Sequence, residues 1–206
     1  MTTMSSQITR LWQAAFNILF LALFVLLAIS SYRNVVTTGS FRALGILAVN
    51  ILFAGLFLTR RQAQEESQSL GLWMVAMAAT TLPLFLRAGG TADLVQLGAG
   101  VQALGLAGVA AGLLSLRRSF GVAPANRGVR DHGMYRLVRH PIYLAELTLI
   151  LGVVIASPTV GNLLLWLCEC GLQFARALAE EQLLSKDPAY VVYRAQVRYR
   201  LLPGVL

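Results

Sequence analysis

"LWQAAFNILFLALFVLLAISS", residues 11–31, carries no charged side chain, and its reading decides the class of the protein. Crossing the ~30 Å hydrocarbon core of a bilayer takes ~20 helical residues, so this run is long enough to span. It exceeds the roughly 7–15 apolar residues of a signal-peptide core, and more runs follow it, so it reads as a first membrane helix and not a cleaved leader. Composition agrees. Hydrophobic residues make up 57% of the 206 residues and charged residues only 13%, with mean hydropathy +0.67. A soluble chain of this length needs more polar surface than that.

Further runs lie outward from this one. A second apolar stretch covers about 42–59, and a third about 70–87, with Pro83 bending it near one end. A fourth, about 94–116, contains Gly98, Gly100, Gly105, Gly108 and Gly112. Gly108 and Gly112 have the GxxxG spacing that lets helices approach closely in lipid, with packing inside the same chain as the first expectation. After a polar segment from Arg117 to His140, another long apolar stretch is interrupted at "SPTVGN", residues 157–162. Ser-Pro is a turn signal, so this stretch reads as a helical hairpin, about 141–156 and 160–179. The first arm is short for a full crossing and is expected to tilt or be shielded by neighbours.

The expectation is an all-α integral membrane protein with about six hydrophobic helices, four spans plus a C-terminal hairpin. It forms one structural domain with N-terminal helices in 1–116 and a C-terminal half, 117–206, whose tail from 180 is polar and broken by Pro188. Cys168 and Cys170 stand two apart within the hairpin, where helical geometry points them to different sides. That favours neither a disulfide nor a metal pair, and no metal is expected.

The net charge is +8. The basic residues fall between apolar runs, which suits topology and the anionic inner leaflet better than a nucleic-acid groove. If 117–140 is cytoplasmic, that side receives Arg10, Arg60, Arg61, six arginines from Arg117 to Arg139, Arg176, Lys186, Arg194, Arg198 and Arg200. The other side receives only Arg33, Arg42 and Arg87. This asymmetry puts both termini and the polar clusters in the cytoplasm.

The clusters occupy 117–146 and 176–203, flanking the hairpin. A hairpin returns its far end to the side it left, which brings Arg139, His140 and Tyr143 towards Arg176, Glu180 and Glu181. Each residue has an ordinary structural reading. Arg136 and Arg139 suit interfacial anchors, Arg176 and Glu180 an i,i+4 ion pair, and His140 a helix cap. Tyr190, Tyr193 and Tyr199 suit an interfacial aromatic belt. Together, on one side and at one depth, they describe a polar pocket beside lipid. Glu146 and Glu169 lie inside the apolar arms, where an ionisable group is costly unless it faces a cavity or partner. Glu146, a turn beyond Tyr143, is expected to line the pocket. Glu169 has no evident partner.

Three segments, "GMYRLVRHPIY" (133–143), "RALAEEQLL" (176–184) and "DPAYVVYRAQVRYRLLPG" (187–204), resemble the isoprenylcysteine carboxyl methyltransferase superfamily, which includes small phospholipid N-methyltransferases. The family pattern is G-x-Y-x-x-x-R-H-P-x-Y, then R-x-x-x-E-E, then Y-x-x-Y with a terminal Pro-Gly, here in order over about 75 residues. The resemblance implies that His140, Pro141 and Tyr143, beside Arg139, cradle S-adenosylmethionine, with Glu180 and Glu181 helping to hold it through its ammonium group. It implies that Arg139 and Arg176 orient the acceptor, that Gly133 and Tyr135 lead into the pocket, and that Tyr193 belongs to a tail closing over it. Ala145 and Glu146 stand where the family often has glycine, Met134 where proline is frequent, and Asp131 and His132 add charge ahead of Gly133. The implied activity is transfer of a methyl group to a lipophilic small-molecule or lipid acceptor whose identity the sequence leaves open. A carboxylate acceptor is ionised at neutral pH and needs no base, whereas an amine must lose a proton, with Glu146 the candidate base. Membrane sterol reductases, which bind a nicotinamide cofactor, resemble the same region, but their RH-x-N-Y form has asparagine where this chain has Ile142. A non-catalytic membrane scaffold is the third reading.

Overall fold

The computed structural model describes residues 2–39, 41–63, 65–87 and 89–204, leaving aside the side chains of 2–6, 9, 41 and 42. Arg42, assigned above to the outer side, is thus a side chain outside the described residues. The chain divides into two compact units, Met1–Arg60 and Arg61–Leu206.

The first unit is a helical hairpin. Helix α1, Thr2–Thr38, extends beyond residues 11–31 at both ends, and α2 spans Phe41–Thr59. Gly39, at φ +60°, ends α1 in the left-handed conformation that glycine adopts without cost. Phe24 stacks on Phe53 at 4.7 Å, and Asn50 Nδ2 donates to Ser31 Oγ at 3.1 Å. Antiparallel helices satisfy both contacts.

The second unit carries the polar clusters. Helix α3, Leu70–Thr81, is N-capped by Ser69, whose Oγ accepts from Leu72 N, and buries Trp73, whose indole donates to the Ser67 carbonyl at 3.0 Å. Pro83 lies in a 3-10 turn, Leu82–Phe85, which ends the helix where the sequence placed its bend. Helix α4, Ala92–Leu116, packs antiparallel on α5, Pro141–Ala156. A Cβ added at Gly98, Gly105, Gly108 or Gly112 would come under 3.0 Å from Gly152, Leu149, Ala145 or Ile142 of α5. The glycine stripe therefore serves a close crossing within this chain. Two helices, Arg10–Thr38 and Ala92–Ser119, are long and apolar enough to cross a membrane, and Ala43–Thr59, Leu70–Phe85 and Pro141–Ala156 are shorter apolar helices.

Helix α6, Val160–Leu184, runs five residues past the expected end at 179, so Glu180 and Glu181 are helical. Thr159 caps its start, with Oγ1 accepting from Asn162 N at 3.1 Å. Asn162 is buried, and its amide receives Arg87 N at 3.0 Å while donating to the carbonyls of Arg87 (2.9 Å) and Ser157 (2.8 Å). One side chain thus ties the segment before α4 to the hairpin turn. Helix α7, Pro188–Gln196, starts with Asp187 as N-cap and proline at its first position. The loop after α4 is held by a two-residue antiparallel pair, β1 (Glu65–Glu66) with β2 (Ala125–Asn126). Side chains reinforce it. Arg127 pairs with Glu66 at 3.0 Å, Lys186 with Glu65, and Asn126 donates to Asp187 at 2.8 Å.

Candidate functional site

Proline at the first position of α5 keeps His140 out of helical geometry, which the residue before proline avoids, so Arg139 and His140 form a non-helical entry to the helix. Their backbone amides donate to the tail carbonyls, Arg139 N to Tyr199 O and His140 N to Arg200 O, both at 2.9 Å. The tail is therefore laid along this entry, and its Arg200 side chain reaches the end of α6.

Glu181 is the hub of the cluster. It receives Arg139 Nη1 at 3.2 Å, Arg200 Nε at 3.0 Å and Nη2 at 3.1 Å, and His140 Nε2 at 3.1 Å. Burial alone would raise its pKa, but the hydrogen bonds from His140 and Arg200 and the adjacent charges win, holding its carboxyl down at about 2. Glu180 stands beside the hub and more open to solvent. It accepts from Tyr143 Oη at 2.9 Å and lies 3.6 Å from His140 Nδ1. The His140 and Tyr143 rings stack at 5.3 Å, 7° from parallel, and the Arg176 guanidinium covers Tyr143 at 4.6 Å from its centroid.

Arg176 does not form the i,i+4 ion pair with Glu180. Its Nη1 donates to Gln173 Oε1 at 3.0 Å and its Nη2 to the Val122 carbonyl at 2.9 Å. Two guanidinium nitrogens, Arg139 Nε and Arg176 Nε, are buried with no hydrogen-bond partner among the described residues. Native interiors rarely leave such donors unmet.

The hairpin thus brings Arg139, His140, Tyr143, Arg176, Glu180 and Glu181 together. Pro141 is buried beneath them. Glu146 joins through Gln173, whose Nε2 donates to it at 2.7 Å. Gly133 and Tyr193 make no hydrogen bond to the hub, although Tyr193 lies within reach of the Arg139 and Glu181 charges. Gly133, at φ +61°, forms a turn in which a Cβ would strike Ser115. Tyr193 donates to the Tyr135 carbonyl at 2.8 Å and is buried with Tyr190 and Val197, with Tyr135 packed against that cluster. The two tyrosines are a small core, and only Tyr199 is left for a belt. Burial, and then neighbouring carboxylates such as Glu180, push the Tyr135 phenol well above its usual range.

Sequence reasoning missed Arg200 and Gln173. Gln173 was legible, since it stands four residues after Glu169 and three before Arg176, on one helical face. Arg200 reaches the site through two backbone hydrogen bonds from 139–140 to 199–200, and local spacing carries no sign of that contact.

A family described as a protein of unknown function (DUF1295) matches residues 1–182. The chain belongs to that family. It falls in the membrane superfamily of steroid 5-alpha reductase-like and isoprenylcysteine carboxyl methyltransferase-like proteins. The matched stretch includes the glutamate pair and stops short of Tyr193 and Arg200. No curated protein matches the chain.

Proposed function

We propose that the chain is a multi-pass integral membrane methyltransferase that uses S-adenosylmethionine to methylate a lipophilic acceptor, an isoprenylcysteine carboxylate-like group or a lipid. In this reading about six hydrophobic helices lie in the membrane, both termini are cytoplasmic, and the Glu181 hub faces the cytoplasm amid membrane lipids. The charge asymmetry supports that orientation. The observation that carries the reading is the meeting of Arg139, His140 and Tyr143 with Glu180 and Glu181 across the hairpin.

The donor set fits the cofactor. Arg139 Nε, buried and unmatched, suits the carboxylate of a bound amino acid. Glu180, outside the Arg139–Glu181–Arg200 lattice, suits its ammonium group. The stacked His140 and Tyr143 rings offer a flat face beside both, and Pro141 fixes their entry angle. S-adenosylmethionine, when bound, supplies a methyl carbon already made electrophilic by its sulfonium. The protein's task is then alignment and exclusion of water, which gives the reactants a high effective concentration. Glu181 keeps Arg139 and His140 in place, and Arg176, anchored by Gln173 and Val122, directs its unmatched Nε toward the acceptor.

Calorimetric titration of the full chain in detergent tests this. Micromolar binding of S-adenosylmethionine or S-adenosylhomocysteine, lost in Glu180→Gln and His140→Ala variants that unfold at the wild-type temperature, is expected. Binding of NADPH instead would assign the chain to nicotinamide-dependent reduction, the second chemistry of its superfamily. Binding of neither would leave a scaffold. Arg176→Ala should lower turnover far more than cofactor affinity.

A further inference from the structure

A second polar chain lies deeper in the hairpin than the Glu181 hub. Gln173 Nε2 donates to two carboxyl groups, to Glu146 Oε2 at 2.7 Å and to Glu169 Oε1 at 2.9 Å. Gln173 Oε1 in turn accepts from Arg176 at 3.0 Å. Gln173 and Glu169 are 1% exposed and Arg176 6%, while Glu146 is half-buried. Two polar atoms of this network, Glu169 Oε2 and Arg176 Nε, are buried without a hydrogen-bond partner among the described residues. Glu169 also lines a small apolar recess with Leu82, Pro83, Leu86, Ile150 and Leu165.

Charge counting decides what the chain can hold. Its one cation is Arg176, and it contains two carboxyl groups. From its own hairpin Tyr143, Glu180 and Cys170 also face it, and Tyr135 faces it from the turn before α5. The loop adds the Val122 carbonyl, and the end of α3 adds only apolar groups. None of these supplies a second positive charge. Two anions held on one amide in an apolar interior repel each other and lose hydration, and a single guanidinium does not offset both. The two carboxyl groups therefore share one proton. Glu169, whose Oε2 meets no donor in an apolar recess, is the poorer place for a charge. Glu146 is the more exposed of the two side chains and lies on the Tyr143 side of the site.

We propose that Glu169 carries this proton, that Gln173 positions the pair, and that Glu146 remains charged as the proton acceptor for a proton-bearing nucleophile, an amine. The inference rests on the methyltransferase reading. An acceptor arriving as a carboxylate has no proton to give and meets a like charge at Glu146. An ammonium meets an opposite charge and must shed one proton before its lone pair is available. That proton passes to Glu146. The freed lone pair then forms the new nitrogen–carbon bond while the carbon–sulfur pair returns to sulfur, leaving a methylated ammonium and a neutral thioether.

The test uses the full chain in detergent. Infrared difference spectra of the ligand-free protein at neutral pH should show the carbonyl stretch of a protonated carboxylic acid. It should vanish in Glu169→Gln and in Glu169→Met and persist in Glu180→Gln. Transfer of labelled methyl from S-adenosylmethionine should enter dodecylamine and not dodecanoate. Glu146→Gln should lower that transfer about 100-fold or more, as loss of a positioned base does, with cofactor affinity unchanged. A missing acid band, or one that survives both Glu169 variants, overturns the proton assignment. Methylation of dodecanoate at equal rates in wild type and Glu146→Gln overturns the amine assignment and leaves the methyltransferase standing. Failure to bind S-adenosylmethionine overturns the methyltransferase reading itself, while the acid band still reports separately on the buried pair.

Discussion

Glu181→Gln keeps the shape of the hub's central side chain and removes its charge. In the native protein that carboxylate faces two guanidiniums and an imidazole at 3.0–3.2 Å. Its side chain is 5% exposed, against 7% for Arg139 and 16% for Arg200. A glutamine can offer one oxygen to these donors, and its own NH2 group points two hydrogens at the rest. Removing one partner of a buried pair costs about 3–5 kcal/mol. Arg200 regains some water, so the low end, about 3 kcal/mol, is expected. For a chain of this size each kcal/mol moves Tm by about 2–4 °C, which predicts a fall of about 6–12 °C. Tryptophan fluorescence during thermal unfolding in detergent measures it, with buried Trp73 as reporter. A fall under about 2 °C would refute the reasoning, because a solvated pair contributes only about 0–1 kcal/mol. The pH dependence is a second check. The folded carboxyl titrates at about 2, below the ordinary glutamate value of about 4.3, so the unfolded chain binds this proton more readily. The stabilisation is complete above the ordinary value and disappears as pH falls through about 2. The difference between wild type and Glu181→Gln should therefore be full at pH 5 and shrink steadily below about pH 4.

Three further outcomes follow from the packing. Gly105→Ala places a methyl against the Leu149 backbone and should cost about 1–3 kcal/mol by overpacking, seen as a lower Tm, whereas Gly100→Ala, with open space around it, should be neutral or slightly stabilising. Tyr193→Phe loses the bond to the Tyr135 carbonyl and should lower stability by about 1 kcal/mol in the same melt. Asn162→Ala strips partners from Arg87 and Ser157 and should cost about 2–3 kcal/mol, again read from Tm.

Much of the scaffold was legible because long apolar helices announce themselves by length and polarity. The Ser157-Pro158 break, the bend at Pro83 and the glycine stripe of α4 each have a local cause, and each falls where the sequence put it. The clustering of Arg139, His140, Tyr143, Glu180 and Glu181 followed from hairpin geometry alone. What escaped was set by contacts distant in the chain. Arg200 closes the hub because the tail pairs with the entry to α5. Arg176 turns from Glu180 because the Val122 carbonyl, brought over it by the loop after α4, competes for its hydrogens. Burial of Tyr190 and Tyr193 depends on α7 folding back, which their spacing does not reveal.

The hairpin turn sets the register of everything above it. Tyr143 meets Glu180, Glu146 meets Gln173, and Ser157 meets Asn162, so one antiparallel alignment accounts for the hub, the deeper polar chain and the turn together. A slip of one residue in α6 would rotate its side chains by about 100°. That would carry Glu181 away from Arg139 and Gln173 away from Glu146 in the same step. The turn holds against such a slip through Thr159, which caps α6, and Asn162, which binds the backbone N–H and carbonyl of Arg87. Asn162 lies about five helical turns from Glu181 and touches none of the site residues, yet it fixes where each of them stands. The cluster and the turn are therefore one device, and loosening the turn should disorder the site before it unfolds the helices.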